Sequence, residues 1–259
     1  KVVSWQNAYL LGGILGLGLL ALRVGVHESK MFHNARKSER VNCGSLALLF
    51  SSPQRTVRFL SCVLIAVPVW FVAGILATLS PEIATSLGIQ GVTSADSMLY
   101  WGIGLTIGDI ASGMISQIIK SRKRTLFYFI TGIALTSVAT LTIPWSSSTY
   151  FTAMFLPLGF FSGFWAVFVS AAAEQFGTNL RATVATSAPN LVRGSTVLLT
   201  SVVSYLRPEF GIVNSSLILL GLVSIVSFVS LYFMKETFGI ELDYLEERTP
   251  EKELVESNA

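Results

Sequence analysis

The chain has 259 residues, 52% hydrophobic and 13% charged, with a formal net charge of +3 and a mean hydropathy of +0.64. That balance excludes an ordinary water-soluble domain, and so small a charge gives no reason to expect a nucleic-acid partner. Two cysteines, Cys43 and Cys62, imply no disulfide framework.

A bilayer crossing takes about 20 apolar residues, so the distance between charged side chains marks candidate spans. In chain order, residues 4–22 carry no charge and form the first. A linker over 27–56, rich in Ser, Asn, Lys and Arg, follows and marks a boundary between helical bundles. Within it, residues 46–50 (LALLF) suit a short interfacial helix lying on a leaflet. Residues 59–81 are charge-free, and 97–119 carry only Asp109. The interval 125–173 has no charge over 49 residues and is broken by Pro144-Trp145-Ser146-Ser147-Ser148-Thr149, so it reads as two spans and a turn. Residues 182–206 carry only Arg193, and 211–234 carry none. These stretches are continuously apolar, where barrel strands would alternate, so the seven spans are helices. Residues 57–236 form a six-helix bundle, and 237–259 form a tail that is acidic and polar from Leu245 onward and expected to be mobile.

The basic residues are unevenly placed. Seven Lys/Arg fall between Arg23 and Arg58, four between Lys120 and Arg124, one is Arg181, and three follow Met234. Those fifteen share one side, against Lys1 and Arg207 on the other, so the positive-inside rule puts linker and tail in the cytoplasm of a plasma or inner membrane. The chain then starts outside, yet 1–26 has no basic n-region or cleavage site. The expectation is that 1–26 is the last helix of an N-terminal bundle that continues before Lys1.

Five short patterns occur in order. They are Trp5-Gln6-Asn7-Ala8-Tyr9, Glu28-Ser29-Lys30-Met31-Phe32, and Gly113-Met114-Ile115-Ser116 followed by Lys120-Ser121-Arg122-Lys123-Arg124. Next come Glu174-Gln175-Phe176-Gly177-Thr178-Asn179-Leu180-Arg181-Ala182-Thr183 with Arg193, and then Glu236-Thr237-Phe238-Gly239 with Leu242 and Leu245-Glu246. Together they resemble the major facilitator superfamily, in particular its sugar-porter and metabolite:proton symporter branches. The patterns are similar to the family's WRxxF, ESPRxL, GxLxDRxGRR, ExFPTxxRAT and ETxGxxLxxLE segments. Gln6 stands where the pattern has Arg, Gln117 where it has an acid, and Gly177 where it has Pro. The resemblance implies an all-α polytopic fold in which the seven spans are helices six to twelve of two six-helix bundles.

Asp109 and Arg193 are the ionisable groups in the middle of spans, where a charge costs at least ~3 kcal/mol unless paired or wet. Each lies eleven or twelve residues from basic loop residues, so they are level in the membrane and could pair. Two readings stay open: a buried ion pair joining two helices, or a proton-coupling or substrate-contacting role for Asp109. Aromatic residues crowd the fifth span. Phe161, Trp165 and Phe168 recur at helical spacing and share a face, and the resemblance puts that face, with Trp70, near the solute. Glu174 and Arg181 bracket a cytoplasmic turn as structural or gating residues, as do Gly113, Arg122 and Arg124 in the loop motif. Gly104 and Gly108, four apart, allow close helix approach.

No zinc spacing, nucleophile elbow or phosphate loop is present, so neither metal, cofactor nor catalysis is expected. A retinal-type receptor needs a lysine inside a span, and the spans have none. The expected function is a secondary active transporter of a small polar solute such as a sugar or organic acid, coupled to protons. A transporter-like sensor is the alternative.

Overall fold

The computed structural model describes residues 4–23, 44–240 and 246, and every regular element among them is a helix. The Glu28 to Phe32 motif and most of the tail, with Leu242 and Leu245, lie outside the described residues. The chain divides into two units, residues 1–41 and 42–259.

In the first unit α1 (Trp5–Arg23) is 19 residues long, which at 1.5 Å per residue gives about 28 Å, close to the hydrocarbon thickness of a bilayer. It ends on Arg23, where the carbonyl end of the helix favours a cation.

The second unit opens with α2 (Leu46–Leu49), one helical turn. Leu48 and Leu49 are buried, and the Phe50 ring stands edge-on to Phe59 at 5.9 Å. The segment expected on a leaflet therefore puts two of its five apolar side chains into the bundle and leaves Leu46, Ala47 and Phe50 exposed.

Helix α3 (Pro53–Phe71) starts with proline in its first turn and carries Pro68 in its interior. Pro68 has no N–H, so the Leu64 carbonyl one turn earlier loses its helical donor. The Ser227 hydroxyl donates to that carbonyl at 2.8 Å from another span, the kind of replacement a membrane interior requires. Beyond Phe71 the chain widens into a π-helix (Val72–Ala77) and continues to α4 (Ser80–Ser86). Helix α5 (Ser94–Ile119) is capped by Thr93, whose hydroxyl accepts from the Asp96 N–H at 3.1 Å, and ends at Lys120 in the left-handed conformation.

Ser121 caps α6 (Arg122–Thr142), and the Trp145 indole closes the following turn by donating to the Thr140 carbonyl at 3.0 Å. The next span, expected as one helix, consists of three pieces: α7 (Ser148–Ala153), α8 (Phe155–Ser162) and α9 (Trp165–Glu174). The last element, α10 (Thr178–Phe233), has 56 residues. That is roughly 84 Å of helix for a core of about 30 Å. Gly211, at φ 73°, breaks it, leaving crossings over 178–210 and 212–233. Five helices among the described residues are long and apolar enough to cross a membrane, the last of them divided in two at Gly211, and α1 is a further, shorter apolar helix; together they are as many candidate crossings as the charge spacing predicts.

Helices α5 and α8 touch through their backbones. A Cβ on Gly104 or Gly108 would stand 2.1 or 2.0 Å from the carbonyl oxygens of Leu156 and Phe160, and one on Gly159 would meet the Trp101 carbonyl at 2.1 Å. The small residues expected to permit close approach do so, and they seat the broken span against Asp109.

Candidate solute and gating sites

The first site begins where α8 gives way to α9. Gly163 cannot carry a side chain, because a Cβ would lie 2.5 Å from the Asp109 nitrogen and from the Leu105 carbonyl oxygen. The chain therefore turns against α5 at Gly163-Phe164 and restarts as a helix at Trp165. The first N–H groups of a helix have no internal acceptor and carry partial positive charge. Asp109 fills that place: its Oδ1 accepts from the Ala166 N–H at 3.3 Å, and the Trp165 N–H also bonds to it.

On the far side, the Trp165 ring meets Trp70 edge to face, with centroids 6.5 Å apart. Trp70 lies two residues before the π-helix. The Arg193 guanidinium stacks over Trp70, 5.4 Å from the ring centroid, and donates to Asn190 Oδ1 at 3.3 Å. Trp70 Nε1 is buried and finds no acceptor among the described residues, a placement that calls for a functional explanation. Asp109, Trp165, Trp70 and Arg193 thus form one line of contacts across four spans, beside two of the places where spans depart from regular α-helix.

Two sequence expectations change. Asp109 and Arg193 do not pair: among the described residues, neither is in an ion pair within 4 Å. Equal depth is not enough, since the two tryptophans stand between them in the contact line. Phe161 does not share a face with Trp165 and Phe168, because the break at Gly163 interrupts the helical period. Its ring packs on Gly132 and stands 6.0 Å from the Phe129 ring, both on α6.

The second site is the basic end. Arg122 donates to Glu174 at 3.3 Å and to the Ser116 hydroxyl at 3.0 Å, and its guanidinium lies over the Phe238 ring at 5.5 Å. Glu174 also accepts from the Thr237 hydroxyl at 2.6 Å. Glu236 closes over the start of α6, accepting from the Arg122 N–H at 2.9 Å, the Lys123 N–H at 3.3 Å and the Ser121 hydroxyl. Burial acts to raise the Glu236 pKa, but the Ser121 bond and the N–H groups of Phe238, Arg122 and Lys123 outweigh it, and the carboxyl lies below its ordinary range. Arg181 donates to the Phe176 carbonyl at 3.4 Å. Arg124 is exposed, and Gly113 is half-buried with open space around it, so neither joins the Arg122–Glu174 pair.

Four participants, Arg55, Arg58, Asn179 and Asn190, were not singled out as site residues from sequence. Arg55 and Arg58 reach Glu246 at 3.0 and 2.9 Å, and Asn179 exchanges hydrogen bonds with the Glu246 backbone. Glu246 falls in the segment expected to be mobile, and two arginines at the start of α3 pin it instead. The motif ending in Leu245-Glu246 was the available signal. For Asn190 the signal was its i, i+3 spacing to Arg193.

Among the described residues no cluster of three metal-ligating side chains occurs. A search of curated proteins finds no match. The sequence profile of the Major Facilitator Superfamily matches residues 1–195, from before α1 to within the first half of α10. With three quarters of its length matched, apolar helices long enough to cross a bilayer and no strand among the described residues, the chain belongs to the major facilitator superfamily of multi-pass membrane transporters.

Proposed function

We propose that the chain is part of a secondary active transporter that moves a small polar solute, a sugar or an organic acid, by alternating access, with protons as the coupling ion. The observation that supports it is the mid-span line from Asp109 through the start of α9, Trp165 and Trp70 to Arg193. A carboxylate at a helix N-terminus is attracted by the helix dipole by up to ~2 kcal/mol in favourable, partly buried geometry. Protonating Asp109 removes that attraction and frees α5 and α9 to shift. The gap at Gly163 before α9, and the π-helix that continues α3 after Phe71, are the points where the spans would bend. Arg193 and the Trp70 N–H offer donors to the oxygens that sugars and carboxylates share.

The same reading puts the basic end in the cytoplasm of a plasma or inner membrane. It also assigns the opposite wall of the solute cavity to a second six-helix bundle, which would cover exposed apolar side chains such as Ile107 and Leu198. The test is uptake by proteoliposomes holding the full-length protein, with a panel of labelled sugars and organic acids and an inward proton gradient. Asp109→Asn should exchange solute across the membrane but not concentrate it. Normal pH-driven accumulation by that variant would remove Asp109 from coupling. Failure of the parent protein to accumulate any solute would favour a transporter-like sensor.

A further inference from the structure

Between α6 and the 212–233 half of α10, at the basic end, runs a groove of about 980 Å³. Its chemistry is graded along the spans. Deeper in the membrane the wall is Phe127, Tyr128 and Phe228, and at the mouth stand Lys120, Lys123, Arg124 and Glu236. Phe127, Tyr128 and Tyr232 are 48%, 52% and 75% exposed, and neighbouring exposed side chains such as Ile118 and Phe233 are apolar. The groove therefore opens sideways onto hydrocarbon.

The charges at the mouth do not cancel. Glu236 is enclosed by backbone N–H groups and Ser121. Lys123 donates to the Tyr232 and Met234 carbonyls at 2.6 and 3.0 Å, which leaves its charge in place. Lys120 and Arg124 are exposed and have no carboxylate within 4 Å among the described residues. Among the described residues of the groove, three cations face one acid.

We propose that this groove binds an anionic phospholipid of the cytoplasmic leaflet, its phosphate on Lys120 and Arg124 and an acyl chain along Phe127, Tyr128 and Phe228. The leaflet follows from the orientation proposed above; the binding itself does not depend on it. A soluble anion would use the cations but leave the aromatic wall open, whereas a phospholipid matches both the charge and its gradation. The Tyr232 ring lies beside Lys123 at the charged mouth, where an aromatic ring with a polar tip suits the headgroup boundary. The bound lipid would bridge α6 and α10 at the point where Glu236 already joins them.

The full-length protein, purified in a neutral detergent, is titrated with phosphatidylglycerol or phosphatidylcholine, and bound lipid is counted by native mass spectrometry. Phosphatidylglycerol should be retained in clear excess over phosphatidylcholine. At about 1 kcal/mol per cation, the Lys120→Gln/Arg124→Gln variant should bind phosphatidylglycerol roughly thirtyfold more weakly. Lys120→Arg/Arg124→Lys should keep the parent affinity, and Arg207→Gln, at the other end of the bundle, should change nothing. Arg124→Gln alone, with roughly a fivefold loss, keeps the test valid if the double variant fails to fold. Equal retention of the two lipids, undiminished binding by folded Gln variants, or displacement of the lipid by inorganic phosphate at matched concentration would each overturn the proposal.

Discussion

Arg122 and Glu174 at the basic end meet at 3.3 Å, whereas Arg193 and Asp109 in mid-span, an equally matched arginine and acid, do not meet. The difference lies in what else is within reach. At the bundle end the chain leaves its helices, so Thr237, Ser116 and Glu236 gather around Arg122 and hold the pair in place. In mid-span each charge is met by a group that is not an ion, a helix start for Asp109 and an indole face for Arg193. The first arrangement is locked, and the second can release one charge without stranding the other.

The largest expected effect tests the locked pair. Arg122→Gln leaves the Glu174 carboxylate, 14% exposed, without its cation, and should cost about 2–3 kcal/mol of stability. Glu174→Gln should cost a similar amount, and the double variant less than the sum by about 1–2 kcal/mol. Thermal unfolding of the purified protein measures this, and additive losses would mean that the contact contributes nothing.

Next comes the idea that mid-span polar groups are satisfied by neutral partners. Ser227→Ala should cost about 1 kcal/mol, because the Leu64 carbonyl is then left without a donor. In a Pro68→Ala background, where the substituted residue supplies a backbone N–H of its own, the same change at Ser227 should cost little. An equal loss in both backgrounds would show that the hydroxyl acts through packing alone.

A smaller, pH-dependent effect belongs to Glu236. Its folded pKa lies below the ordinary value of 4.5, so its contribution is fully present above that value and is lost as pH falls through the depressed folded value. Glu236→Gln should therefore flatten the acid limb of the stability curve below about pH 4.5. An unchanged limb in the variant would assign acid sensitivity to other carboxylates.

The smallest effects concern pairs that should not couple. Asp109→Asn and Arg193→Gln should add within about 0.5 kcal/mol. Arg207 and Glu82 meet at 2.6 Å, closer than Arg122 and Glu174, yet their side chains are 52% and 45% exposed. Breaking that pair should change stability by about 0.5 kcal/mol or less, so burial rather than distance ranks the ion pairs. A large loss on Arg207→Gln would reverse that ranking.

Charge spacing was sufficient to mark seven candidate crossings, because a charge is excluded from hydrocarbon by several kcal/mol wherever the chain folds. The same one-dimensional constraint marked Asp109 and Arg193 as unusual and led to the expectation of equal depth, and Gly104 and Gly108 announced a close helix approach by their spacing alone. The rotation of each span about its own axis is not written in such spacings. It follows from which neighbour a helix packs against, and from breaks such as Gly163 that reset the helical period. Hence only the tertiary structure turned Phe161 away from Trp165, put two tryptophans between Asp109 and Arg193, brought Ser227 to the carbonyl exposed by Pro68, and tied Glu246 to Arg55 and Arg58 across 191 and 188 positions of sequence. Depth in a membrane is fixed by local composition, but partnership is fixed by packing.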